Sequence, residues 1–188
     1  MSPWYSIRVF SEDECTASQL ADVDIVAFPG GIGDSDSFDK LLRPCADVVR
    51  SFVATGGRYL GICMGAYWAG HHYFDLLDGV QAEQYIKRPG ADVRRSFSTT
   101  SRVTWLGETH DMFFYDGCSL LGDASKFDVI AAYPNGDAMA IMQNRIGVIG
   151  CHPESMQYWY DKPYLRDRWH DRKHHTLLKE FVDNLMQR

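Results

Sequence analysis

The pentapeptide Gly61-Ile62-Cys63-Met64-Gly65 closes an apolar run and opens a stretch with helical spacing. A cysteine between two glycines at a strand-to-helix turn has the form of a nucleophile elbow, a turn too tight for flanking side chains. A helix starting at Met64 would aim N–H groups and its positive dipole end at the sulfur, and both favour thiolate. The bland alternative is a buried cysteine in a glycine-rich turn, and what weighs against it is the rest of the set. Gly150-Cys151-His152-Pro153-Glu154 carries a base and a carboxylate. Pro153 biases His152 towards extended geometry, where residues two apart point the same way, so His152 and Glu154 can face one site. Glu154 would then orient the imidazole and His152 would take the proton of Cys63, the nucleophile, base and orienter of a triad. Pro29-Gly30-Gly31 ends another apolar run. Glycine there lets the main chain approach a carbonyl, and Gly30, Gly31 and the Met64 N–H together would form an oxyanion hole.

The elements that must position these groups follow from periodicity. Ser6 to Phe10 and Asp24 to Phe28 read as short strands, and Arg58 to Ile62 as a buried one. Asp36 or Ser37 is the expected cap of a helix, Pro44 suits the first turn of its continuation, and Cys45, Val48, Val49, Phe52 and Val53 repeat at helical spacing. Gly56-Gly57 closes that helix. Strand, helix, strand implies a right-handed parallel crossover and hence an α/β sheet. Residues 93 to 151 read as short strands with turns at Pro134-Asn135-Gly136 and Asn144-Arg145, an antiparallel excursion on a mainly parallel sheet. Leu177, Leu178, Phe181, Val182 and Leu185 predict an amphipathic C-terminal helix on the sheet. With no repeat or linker to divide it, the chain reads as one domain over residues 1–188.

Composition excludes several classes. The 19 basic and 25 acidic residues give a net charge of −6, which lacks the electrostatic footprint of a general nucleic-acid binder. No apolar stretch approaches the roughly 20 residues of a membrane helix, so no membrane association is expected. The start, Met1-Ser2-Pro3-Trp4-Tyr5, has neither a basic nor an apolar signal region. The five cysteines, Cys15, Cys45, Cys63, Cys118 and Cys151, are scattered and include no C-x-x-C pair, which argues against disulfides and structural zinc and for a reduced, cytoplasmic protein. Asp167, His170, Asp171 and His174 fall at i, i+3, i+4 and i+7, yet the flanking Arg166, Arg168, Arg172 and Lys173 make that face read as a solvated, salt-bridged surface rather than a metal site. His71 and His72 read as helix-end residues near the site. No metal or organic cofactor is required by this chemistry.

The set Pro29-Gly30-Gly31, Gly61-x-Cys63-x-Gly65 and His152-Pro153-Glu154 resembles class I glutamine amidotransferases. Phe28-Pro29-Gly30-Gly31, Gly57 to Tyr67 and Phe127 to Tyr133 are more closely similar to the amidotransferase-like domain at the N-terminus of biotin–protein ligases, including its stand-alone members. The resemblance implies a flavodoxin-like sheet flanked by helices, with Cys63, His152 and Glu154 in catalytic register. It also implies a small-molecule amide substrate. Glutamine-using members carry Gln four residues after the nucleophile, where this chain has Tyr67, so glutamine itself is not the expected substrate. Biotin ligation is not implied either, since the Gly-Arg-Gly-Arg string is absent. Relatives begin with an extra strand and helix before the segment matching Tyr5 to Phe10. Either Ser6 to Phe10 takes that strand's place, or a partner chain, a second copy or a synthase, pairs with the edge.

Tyr67, Trp68, Tyr85, Phe113, Phe114 and Tyr115 are the expected pocket aromatics. Tyr67 lies one helical turn beyond Cys63, and Tyr115-Asp116-Gly117 resembles an aromatic-glycine turn of the biotin-ligase-type group; both are substrate-binding candidates. Cys151 should point away from His152 and be inert. The leading function is a cysteine-dependent amidohydrolase or amidotransferase. The alternative is a binding or regulatory module with a vestigial triad.

Overall fold

The computed structural model describes residues 4–31 and 40–188. Its strands are β1 (Ile25–Phe28), β2 (Arg58–Ile62), β3 (Val80–Gln84), β4 (Thr99–Trp105), β5 (Glu108–Phe114), β6 (Cys118–Gly122), β7 (Asp128–Ala132), β8 (Ala138–Gln143) and β9 (Ile146–Ile149). The α-helices are α1 (Ala17–Leu20), α2 (Ala46–Ala54), α3 (Met64–Trp68) and α4 (Lys173–Met186). Among the described residues, all nine strands join one sheet in the order β1-β2-β9-β8-β7-β4-β5, with β6 pairing β8 and β3 pairing β6.

The α/β architecture is as the periodicity predicts. Parallel pairing joins β1, β2 and β9, and the site hangs from the C-terminal ends of these three strands. The strands between residues 93 and 151 are antiparallel to their neighbours up to β9, and the antiparallel region begins earlier, at β3. Along β2, successive side chains point to opposite faces. Tyr59 joins a core with Val26, Phe28, Val49 and Phe74, while Leu60 joins another with Met142, Ile149, Phe181 and Leu185. A strand buried on both faces must be apolar throughout, which is why this segment reads as a continuous run.

Helix α4 closes the second face. Its residues Leu178, Phe181, Val182 and Leu185 are buried, and full burial of each such side chain contributes about 1.5–3 kcal/mol. Gly147 of β9 makes that packing feasible, because a Cβ there would lie 2.6 Å from Phe181 Cε1. Asn144, at φ 52°, turns β8 into β9 where the sequence places a turn.

Two local expectations differ from the structure. Ser6 to Phe10 forms no strand. Its alternating apolar residues face water, with Ile7 51% and Val9 88% exposed, so no burial rewards a ladder. Side chains hold the segment instead: Tyr5 Oη donates to Asp183 Oδ1 at 2.7 Å, the Arg8 guanidinium to the Gln19 carbonyl, and Phe10 packs edge-on against Phe28. Asp167, His170, Asp171 and His174 do not share a helical face. Arg166–Arg168 is a 3-10 turn, Asp171 and Arg172 take positive φ, and α4 starts only at Lys173. Among the described residues no three His, Cys, Asp or Glu side chains converge to hold a metal ion, and no helix is long and apolar enough to cross a membrane. The expected caps Asp36 and Ser37 lie outside the described residues.

Candidate active site

Cys63 stands at the C-terminal end of β2 with φ 51° and ψ −104°, a left-handed conformation that a side chain adopts only when its surroundings impose it. The two flanking glycines supply that constraint. A Cβ on Gly61 would lie 2.4 Å from the Gly65 carbonyl oxygen, and one on Gly65 only 2.0 Å from that of Phe28. The elbow is thus pressed onto β1 with no room for a methyl group. Pairing of Ile62 with Ile149 brings β2 and β9 to the same end, and Cys63 N–H donates to the Ile149 carbonyl at 2.7 Å. His152, three residues past β9, arrives beside the thiol.

The side chains converge. His152 is 4% exposed and Cys63 5%. His152 Nδ1 meets Glu154 Oε1 at 2.8 Å, and the ring and the Cys63 side chain lie against the same point of the Gly30 backbone. Burial alone would lower the affinity of His152 for its proton. The Glu154 carboxylate, and after it Cys63, outweigh burial and push the imidazole up to about 10. Glu154 thus favours the charged form of the imidazole that stands beside the sulfur. The five-residue α3 adds only a small dipole of its own.

Gly30 and Gly31 lie against the same groups. A Cβ on Gly30 would fall 2.4 Å from His152 Cε1 and 3.2 Å from Cys63 Cβ, while one on Gly31 would meet Met64 Cε at 3.8 Å. The Met64 amide, in the first turn of α3, has no intrahelical acceptor. Main-chain donors from two elements thus border the thiol.

Tyr67 and Tyr115 are linked through one turn. The Cys63 thiol donates to the Tyr115 carbonyl at 3.5 Å, and Tyr67 Oη donates to the Asp116 carbonyl at 3.3 Å. Asp116, at φ 53°, accepts from Gln84 Nε2 through both carboxylate oxygens. Burial pushes the Tyr67 hydroxyl far up, so it acts as a hydrogen-bond donor. The Tyr115 ring is exposed and free to meet a ligand. Cys151 turns away to Tyr133 Oη, and burial raises its thiol. His71 and His72 line a hollow of about 400 Å³ with Tyr67, Gln81 and Glu83. A second hollow, of about 540 Å³ between α1 and α2, includes none of the residues around the thiol.

Sequence spacing does not single out Trp159. Its ring lies 5.4 Å from that of His152, and Phe113 lies 5.8 Å from it. The signal was the aromatic run Tyr158-Trp159-Tyr160 immediately after the His-Pro-Glu string. Sequence spacing does not single out Ser155 either. It is fully buried, and Tyr160 Oη and His170 Nε2 lie 3.0 and 3.3 Å from its Oγ.

Comparison with solved structures decides the fold. A glutamine amidotransferase superposes with a TM-score of 0.64 over 92% of this chain and 84% of its own, at 18% identity. The chain has the class I glutamine amidotransferase fold. A second glutamine amidotransferase, from Thermotoga maritima, gives a TM-score of 0.63 over 90% of this chain and 80% of its own, at 10% identity. PurLQS from the same organism gives 0.58 over 86% and 81%, at 13% identity. Residues 1–81 of this chain match the family described as biotin-protein ligase, N terminal. No curated protein matches it in sequence.

Proposed function

We propose that the protein is a cysteine-dependent amidohydrolase or amidotransferase acting on an amide or related acyl bond of a small molecule. The observation that carries this reading is the buried imidazole of His152, hydrogen-bonded to Glu154 and packed together with the buried Cys63 against Gly30.

The chemistry follows from the charges. The Cys63 thiolate attacks the carbonyl carbon, a C–S bond forms, and the carbonyl electron pair moves to oxygen. Main-chain N–H groups of Gly30, Gly31 and Met64 are the donors available to that oxyanion. His152, holding the proton taken from Cys63, gives it to the leaving nitrogen as the C–N bond breaks, and the amine or ammonia departs. Water then attacks the thioester, His152 takes one of its protons, and Cys63 leaves as thiolate with the carboxylic acid as product. Glu154 keeps the imidazole in register through both steps. Tyr67 and Tyr115 form the wall that the non-reacting part of the substrate meets. Tyr67 occupies the position of the glutamine-holding residue with its hydroxyl already given to Asp116, which argues for an amide other than glutamine. Released ammonia can pass to a partner synthase chain.

The test is ammonia release from a panel of amides that includes glutamine. Cys63→Ala is expected to lose at least about 10³-fold in turnover on any true substrate, and retained turnover would refute the assignment. A binding module with a relic triad has one observation in its favour, the near-complete burial of Cys63. Alkylation separates the two readings: an activated thiol is modified rapidly at neutral pH, a relic only near the free-thiol value of about 8.5.

A further inference from the structure

Hydrogen bonds do not suffice to hold His152 in place. Its main-chain N–H donates to the Phe113 carbonyl at 2.9 Å, which fixes the backbone. The ring is tied to Glu154, but that carboxylate is only two residues away on the same strand of chain and would move with it. Glu154 Oε2 is buried and, among the described residues, has no hydrogen-bond partner, so no second contact pins the carboxylate. A ring joined to an otherwise unanchored partner needs its orientation from somewhere else.

Two aromatic rings supply walls. Trp159 meets the imidazole at 5.4 Å between centroids with the planes at 70°, and Phe113 at 5.8 Å and 76°. The two also pack on each other at 5.1 Å. Edge-to-face pairs of this kind are directional, and a cation within about 6 Å of an aromatic centroid is attracted to its face. The walls are themselves anchored. Phe113 belongs to β5, and Trp159 to a 3-10 turn, Gln157–Tyr160, whose Tyr160 packs on Phe113 and hydrogen-bonds Ser155 Oγ.

We propose that Trp159, with Phe113, is a positioning residue that holds the His152 imidazole towards Cys63 and favours its protonated form. The proposal rests on the reading of Cys63 and His152 as a working pair. The ionisable groups facing His152 are Glu154 from its own segment and Cys63 from the elbow. The hydroxyl of Tyr160 is turned to Ser155, and the thiol of Cys151 to Tyr133.

The experiment is the rate of Cys63 alkylation by iodoacetamide as a function of pH, with Cys63→Ala as background. In the wild-type protein the inflection is expected well below 8.5. Trp159→Leu keeps bulk without an aromatic face, and should raise the inflection by about one pH unit and slow alkylation at pH 7 about tenfold. Trp159→Phe should restore the wild-type profile within about twofold. Phe113→Leu, on a separate element, should shift the inflection the same way, which guards against a local folding defect in the Trp159 variant. An unchanged inflection in both leucine variants overturns the proposal, and so does a Trp159→Phe protein as slow as Trp159→Leu. A wild-type inflection near 8.5 instead overturns the reading of an activated cysteine, so the two failures are distinct.

Discussion

A single missing side chain decides how closely His152 can stand to Cys63. Gly30 is that residue: a methyl group there would lie 2.4 Å from His152 Cε1, 3.1 Å from Nδ1 and 3.2 Å from Cys63 Cβ. Gly31, one position on, would place its methyl at an ordinary 3.8 Å from the mobile end of Met64. Gly30→Ala is therefore expected to displace the imidazole and cut the neutral-pH alkylation rate of Cys63 by about 100-fold or more, while overpacking costs about 1–3 kcal/mol of stability. Gly31→Ala keeps the same N–H and should stay within a few-fold of wild type. Equal effects from the two alanines would show that the close approach at Gly30 does not govern the site. Gly30 and the two elbow glycines were legible in the sequence because each marks a close approach that a side chain would block, which Gly31 does not. Trp159 was not legible in the same way. Its role arises from a 3-10 turn that folds back on β5, and no spacing rule in one dimension encodes that return.

At the scale of elements, the segment from Ser155 to α4 is latched by histidines, of which His170 and His174 are held neutral by burial. His170 Nδ1 accepts from the His174 N–H at 3.2 Å, so its Nε2 carries the proton and donates to Ser155 Oγ. His175 Nε2 donates to the Ser155 carbonyl at 2.9 Å. Burial, then the charge of His175, holds His170 down to about 4, and burial, then His170 and His110, holds His174 down to about 3. Both values lie below those of the unfolded chain, so the unfolded state binds more protons in this range. Their stabilisation is complete above about 6.5 and is lost as pH falls towards 4. His152 has the opposite sign: its contribution is complete below 6.5 and is lost as pH rises through about 10. Denaturant unfolding should therefore show a drop of about 2–4 kcal/mol between pH 7 and 4.5, reduced by roughly half in His174→Phe. A flat profile in the wild-type protein would show that the latch carries no such linkage. The sequence spacing of Asp167, His170, Asp171 and His174 suggested one helical face. What hid the latch was backbone handedness, since positive φ at Asp171 and Arg172 rotates the residues before α4 off its axis. Ser6 to Phe10 shows the converse, a period of two that is real but points its apolar side to water.

Over the whole molecule, the sheet separates what stabilises the fold from the proposed site. Strand β9 takes part in both, because it delivers His152 at its end and packs against α4 along its length. A methyl group on Gly147 would lie 2.6 Å from Phe181 Cε1, 3.1 Å from Cζ and 3.2 Å from Leu185 Cδ2. It would push α4 outwards without touching Cys63. Gly147→Ala is expected to lose about 1–3 kcal/mol, which for a chain of this size lowers Tm by roughly 2–10 °C. Phe181→Leu removes the nearest ring atoms and leaves room for the methyl. The double variant should then be less destabilised than the sum of the two singles, by about 0.5–2 kcal/mol of coupling. At temperatures well below the transition, the alkylation profile of Cys63 in Gly147→Ala should match wild type, because the elbow is held by β1 and β2 rather than by α4. Additive destabilisation would place the strain of Gly147→Ala somewhere other than Phe181. A shifted alkylation profile would show instead that β9 transmits the displacement of α4 to the site, and that stability and chemistry are coupled through that strand.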